Sequence, residues 1–175
     1  MAEDYTQIIE GCRRHNRQAQ RQLYDRLAPM AMGVCMRYVR QREEAEDLVQ
    51  EGFVKVFEHI GKVRESEKLE AWVRRIMVNE CLQHFRRQRL RISAEFFEGD
   101  VEEAAWMDDP FATEEVVLAL QKIAPQQQVV FNMVAVEEYS YREAAHELHC
   151  TEVNIRALYS RACAALREIL KNKNT

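Results

Sequence analysis

The chain is 175 residues long, has only five Gly and three Pro, and carries a formal charge of −4 at pH 7. So few turn formers among abundant Ala, Leu, Glu, Gln, Arg and Met exclude a turn-rich sheet architecture and point to an all-α protein. The longest apolar run, "LAPMAMGVCM", is too short to span a bilayer, and the amino terminus lacks the basic-then-apolar layout of a secretory signal, so a cytoplasmic protein is expected.

The net charge conceals a segregation. Residues 43–61 hold six acidic groups against one basic, residues 62–91 nine basic against four acidic, and residues 92–115 nine acidic and no basic group. Local fields steer a polyanion more than net charge does, so the negative total does not exclude nucleic-acid binding.

In chain order, residues 17–40 read as helical, with Pro29 expected to kink or divide the segment. Between Glu43 and Ile60 the residues Ala45, Leu48, Val49, Phe53, Val56, Phe57 and Ile60 recur at spacings of three and four, which predicts a helix with one buried face. Leu69, Val73, Ile76, Met77, Cys81 and Phe85 repeat that pattern, and Ser66 is placed to open a long helix ending in "RRQRLR". Residues 91–113 lose the periodicity and bring Gly99, Pro110 and dense negative charge, as a connector would. Beyond it helices are expected near 114–123 and 126–136. Ser140 and Thr151 then look like N-caps of two helices separated by a short turn, a helix-turn-helix pattern. The pattern thus predicts two small helical domains, residues 1–91 and 114–175, joined by an acidic linker, residues 92–113.

The sequence offers little to an enzyme. Glu143 and His146 have the E-x-x-H spacing of one carboxylate–imidazole pair, but a di-metal bundle needs two, and none of the other histidines has Glu three positions earlier. His146, His149 and Cys150 have no evident fourth ligand for zinc. There is no Gly-rich phosphate loop and no nucleophile with its base, so neither catalytic chemistry nor a cofactor, metal or small-molecule substrate is expected. The five cysteines are scattered among apolar neighbours like small core residues. By contrast, Arg74, Arg75, Arg86, Arg87, Arg89 and Arg91, with Asn79 and Gln83 between them, suit a helix laid along a phosphate backbone.

The strings "EAEDLVQEGFVKVF", "WVRRIMVNECLQHFRRQR", "IAPQQQVVFNMVAVEEYSYREAAHEL" and "TEVNIRALYSRACAAL" together resemble the extracytoplasmic-function class of bacterial sigma factors, which keeps sigma regions 2 and 4. The resemblance implies a promoter-specificity subunit that is not itself an enzyme. Its partners would be the clamp of the largest subunit of core RNA polymerase, the flap of the second-largest, promoter DNA, and an anti-sigma factor, which in that class is often membrane-anchored. It implies polymerase binding by Asp47, Leu48, Gln50, Glu51 and Phe53. It implies capture of the melted minus-ten strand by Arg64, Trp72, Arg75, Asn79, Gln83, Arg86 and Arg87, and contact with the minus-thirty-five element by Thr151, Asn154, Arg156 and Arg161. The sequence departs from the class where Val63 and Leu69 stand at positions that are often aromatic, and where Leu158, Cys163 and Gln128 stand at commonly basic ones. The competing class is a stand-alone helix-turn-helix regulator with a helical sensory domain, which would need no polymerase-docking segment.

Overall fold

The computed structural model describes residues 5–88 and 114–173, so the expected acidic connector lies outside the described residues. Among the described residues every regular element is helical. They fall into two compact units, Met1–Gln83 and His84–Thr175, and the division lies within one long helix.

The first unit is built from α1 (Thr6–Arg13), α2 (Arg17–Tyr38), α3 (Arg42–His59) and most of α4 (Leu69–Arg87). Asn16 starts α2, its side-chain oxygen accepting from the backbone N–H groups of Gln18 and Ala19 at 2.8 and 3.1 Å. Gly11 is where α1 and α2 close on each other, since a Cβ there would stand 2.5 Å from that of Ala19. Pro29 does not divide α2, which runs on from Arg17 to Tyr38. A proline inside a helix costs about 3 kcal/mol. That cost is offset by an inward face of Leu23, Leu27, Ala31, Val34, Cys35 and Tyr38, at roughly 1.5–3 kcal/mol for each large side chain buried.

Helix α3 buries Ala45, Leu48, Val49, Gly52, Phe53 and Val56, as its periodicity predicts. Gly52 sets the approach of α4: an added Cβ would lie 2.8 Å from Cε of Met77, itself fully enclosed. Ser66 does not open α4 directly. It begins a short 3-10 turn, Ser66–Lys68, and the α-helical ladder starts at Leu69.

The second unit contains α5 (Glu114–Leu120), α6 (Pro125–Phe131), α7 (Tyr141–Leu148) and α8 (Glu152–Lys173), with α8 packed on the other three. Its core holds Leu120, Phe131, Met133, Ile155 and Leu166. The helix expected over 126–136 is α only to Phe131, after which Asn132–Val136 widens into a π turn. Asn132 donates from Nδ2 to the carbonyl of Gln128 at 3.0 Å, competing with the helical ladder, and the N–H of Glu137 reaches back five residues to Asn132 at 2.9 Å. Cys12, Cys35, Cys81 and Cys163 are core residues, while Cys150 is only partly buried.

Candidate nucleic-acid and protein interfaces

Three surfaces carry the residues singled out in the sequence. The first is the outer side of α3. Asp47, Gln50 and Glu51 are exposed, whereas Leu48 and Phe53 are 3% and 2% exposed and belong to the core. The latter two therefore do not offer a contact surface. Helical geometry explains this, because Leu48 and Phe53 share the inward stripe with Ala45, Val49 and Val56. Phe53 lies against Tyr24 of α2, with ring centroids 4.6 Å apart, and against Phe57 at 6.0 Å. Sequence reasoning missed Val54. It is 56% exposed and stands on the same outward stripe as Asp47, Gln50, Glu51 and Glu58. An apolar side chain turned to water amid carboxylates is the signal that could have found it.

The second surface runs along α4. Trp72, Arg75, Asn79, Gln83 and Arg86 recur at steps of three and four and so share one side of the helix. Arg75 and Asn79 are exposed, and Trp72 and Gln83 are half-buried. Arg64 is exposed on the connection ahead of α4, and Arg87 is exposed on its last turn. Arg86, on the same last turn and within the second unit, donates to the carboxylate of Glu147 at 3.1 Å. Beneath this surface Glu80, 5% exposed, pairs with Lys55 of α3, whose ammonium also reaches Oε1 of Gln83 at 3.4 Å. Gln83 is thus oriented by a residue on another helix.

The third surface is the mouth of α8. Ser140 and Glu143 cap α7 reciprocally: the Ser140 N–H donates to the Glu143 carboxylate at 2.8 Å, and the Glu143 N–H donates to the Ser140 hydroxyl at 3.2 Å. The Ser140 hydroxyl, donating to the same carboxylate at 2.6 Å, and then the Ser140 N–H hold the Glu143 carboxyl below its ordinary range. Glu143 is therefore used as a cap, although its spacing to His146 is that of a ligand pair. Among the described residues no cluster of three or more His, Cys, Asp or Glu could hold a metal ion. His149 ends α7 in the left-handed region at φ 54°, and the N–H of Cys150 returns to the carbonyl of Ala145 at 3.0 Å. Thr151 then caps α8, its hydroxyl accepting from the N–H of Asn154 at 3.2 Å.

At that mouth the residues singled out in the sequence differ in exposure. Asn154, expected to reach a base, is only 7% exposed, because it lies on the inward side of α8 with Ile155 and Leu158. Its neighbour Val153 is 54% exposed. Arg156 and Arg161 are exposed as expected, and the guanidinium of Arg156 lies 4.8 Å from the ring centroid of Tyr141. Thr151 is exposed but engaged as the cap.

Among the described residues no helix is long and apolar enough to cross a membrane. The sequence model of Sigma-70 region 2 matches residues 23–91, and that of Sigma-70 region 4 matches residues 113–166, together well over half of the chain. The RNA polymerase sigma-H factor of Pseudomonas aeruginosa is 26% identical, over 94% of this chain and 93% of that protein. The ECF RNA polymerase sigma factor SigM of Mycobacterium tuberculosis is 27% identical, over 78% of this chain and 69% of that protein. Among solved structures, the sigma factor RpoE of Bartonella quintana, in complex with the anti-sigma factor NepR, superposes with a TM-score of 0.50 at 23% identity, covering 86% of this chain and 96% of its own. CnrH, in complex with the cytosolic domain of CnrY, gives 0.51 at 20% identity, covering 97% of each. At those identities the two structures attest the fold alone.

Proposed function

The chain belongs to the sigma-70 family, as an extracytoplasmic-function sigma factor, and from that premise we propose how its surfaces divide the work of promoter recognition. Such a factor brings core RNA polymerase to promoter DNA and starts transcription.

The outer side of α3 docks on the clamp of the largest polymerase subunit. The observation that carries this reading is the exposure of Asp47, Gln50 and Glu51 around Val54, on a helix whose opposite side is closed by its own core. Carboxylates there repel a phosphate backbone and complement a basic protein surface. Leu48 and Phe53 serve that surface by holding α3 in register.

The side of α4 bearing Arg75 and Asn79 meets the nontemplate strand at the minus-ten element. Unstacking a base costs a few kcal/mol, which amide hydrogen bonds and stacking on a flat side chain repay. Asn79 and Gln83 supply amides, Trp72 a ring, and Arg64, Arg75 and Arg87 the charge that holds phosphates. The mouth of α8 enters the major groove of the minus-thirty-five element, with Val153 rather than Asn154 at the base edges, Arg156 and Arg161 behind it, and Thr151 fixing the helix start. Region 4 also touches the flap of the second-largest subunit. The protein makes and breaks no covalent bond. An anti-sigma factor is the further partner we propose, by analogy with RpoE, which is found in complex with the anti-sigma factor NepR.

Capture of purified core polymerase by the immobilised protein tests the reading. Asp47→Arg reverses one charge at the centre of the α3 surface without touching the core, and is expected to weaken capture at least tenfold. Undiminished capture overturns the docking assignment. A stand-alone regulator would capture no polymerase at all.

A further inference from the structure

The connection from α3 to α4 and the first turn of α4 are fastened to α1 and its N-cap residue at three points. The Arg13 guanidinium donates to the backbone carbonyl of Val63. The Thr6 hydroxyl lies 3.3 Å from that of Ser66. The Tyr5 hydroxyl donates to Oε1 of Glu70 at 2.7 Å. The partners stand 50, 60 and 65 residues apart in sequence, so none of these bonds comes from local chain geometry. Tyr5 is 3% exposed and lies under the guanidinium of Arg26, 6.0 Å from its ring centroid. Between the fastened points Arg64, Glu65, Glu67 and Lys68 remain exposed. The match to Sigma-70 region 2 begins at residue 23, so α1 lies outside it.

We infer that α1 is a strut that sets the shape of the base-capture segment, and that Tyr5 and Arg13 are positioning residues for reading the melted strand. The inference rests on the reading of Arg64 to Arg87 as that segment. Without fixed ends an exposed connection of this length loses conformational entropy when it closes on a nucleotide. Held at Val63, Ser66 and Glu70, it has already lost much of that freedom in folding. Binding of the correct base then keeps the energy that ordering would have consumed. Burial also favours such a device, since Val63 and Leu69 are only 6% and 0% exposed and cannot stack on a base themselves. The shape of the exposed tip between them must then provide the selectivity.

The test uses the full chain bound to core polymerase. Single-stranded oligonucleotides carry a minus-ten sequence chosen by run-off transcription on a promoter library, or that sequence with each base changed in turn. Wild-type holoenzyme should prefer the chosen sequence at one position or more. Tyr5→Phe removes one hydroxyl and leaves the ring packed. Arg13→Ala removes the bond to Val63. Each should lower the preference at one position about fivefold, the equivalent of one net hydrogen bond, with core affinity unchanged. Arg13→Lys keeps a donor and should restore most of the preference. The inference is overturned if preference is unchanged in both variants, or if the chosen and altered strands weaken by the same factor, as a merely structural role requires. A wild-type holoenzyme without any preference overturns the base-capture reading itself, and the strut with it.

Discussion

Lys55 of α3 and Glu80 of α4 are ion-paired between two packed helices, with Glu80 5% exposed and Lys55 44% exposed. The pair joins the helix of the carboxylate surface to the helix of the amide and arginine surface. Removing only the lysine leaves a buried carboxylate without its counter-charge, a loss of 3–5 kcal/mol for a fully buried pair. Solvent around the half-exposed lysine screens part of that, so Lys55→Met should lower unfolding free energy by about 2 kcal/mol, read from urea denaturation followed by circular dichroism. The double substitution Lys55→Met with Glu80→Met removes both charges and should recover most of the loss. If the double variant is as unstable as the single one, the lysine stem rather than the charge pair stabilises the contact.

The cap of α7 gives a pH dependence with a definite sign. Hydrogen bonds from the Ser140 hydroxyl, and then from its backbone N–H, hold the Glu143 carboxyl below its ordinary range when folded. A depressed folded value means the unfolded chain takes up the proton first. The cap's contribution is therefore complete above the ordinary carboxylate range and is lost as pH falls through the folded value. Glu143→Gln keeps an acceptor for Ser140 but cannot titrate. Its stability should fall less steeply than that of the wild type on acidification from neutral pH, measured as the urea midpoint at successive pH values. Parallel curves would show that the carboxylate is not what the cap senses.

Much of the fold was legible because burial imposes a period. The α3 stripe of Ala45, Leu48, Val49, Phe53 and Val56 lies inward as its spacing demands, and Ser140 and Thr151 cap the helices their sequence context marks. What stayed hidden was the direction of individual polar side chains. Periodicity shows which face is apolar, but it does not show that Glu80 and Asn154 fall on that face while Val54 and Val153 fall off it. The family strings carried the same blind spot, since a motif groups Leu48 and Phe53 with Asp47 whether a residue touches the partner or holds the helix that does. The struts from Tyr5, Thr6 and Arg13 had no local signal at all, because they join residues at least 50 positions apart.

The inversion at the start of α8 gives the sharpest test of the minus-thirty-five reading. Val153 is 54% exposed on the first turn while Asn154, next to it, is 7% exposed. A valine offers a base no hydrogen bond, but it can cover the 5-methyl group of thymine, the one apolar feature of the major-groove edge. Replacing each thymine of a minus-thirty-five duplex by deoxyuridine removes that methyl and nothing else. Burying one such carbon is worth about 0.8 kcal/mol, so one substitution should weaken holoenzyme binding about fourfold at fixed salt. Val153→Ala should bind the thymine duplex as weakly as the wild type binds the deoxyuridine duplex, and should be indifferent to the exchange. If Val153→Ala keeps the full methyl sensitivity, another side chain at the mouth of α8 covers that base. If it is Asn154→Ala that loses base preference while the fold stays intact, the side chain must turn outward on binding DNA.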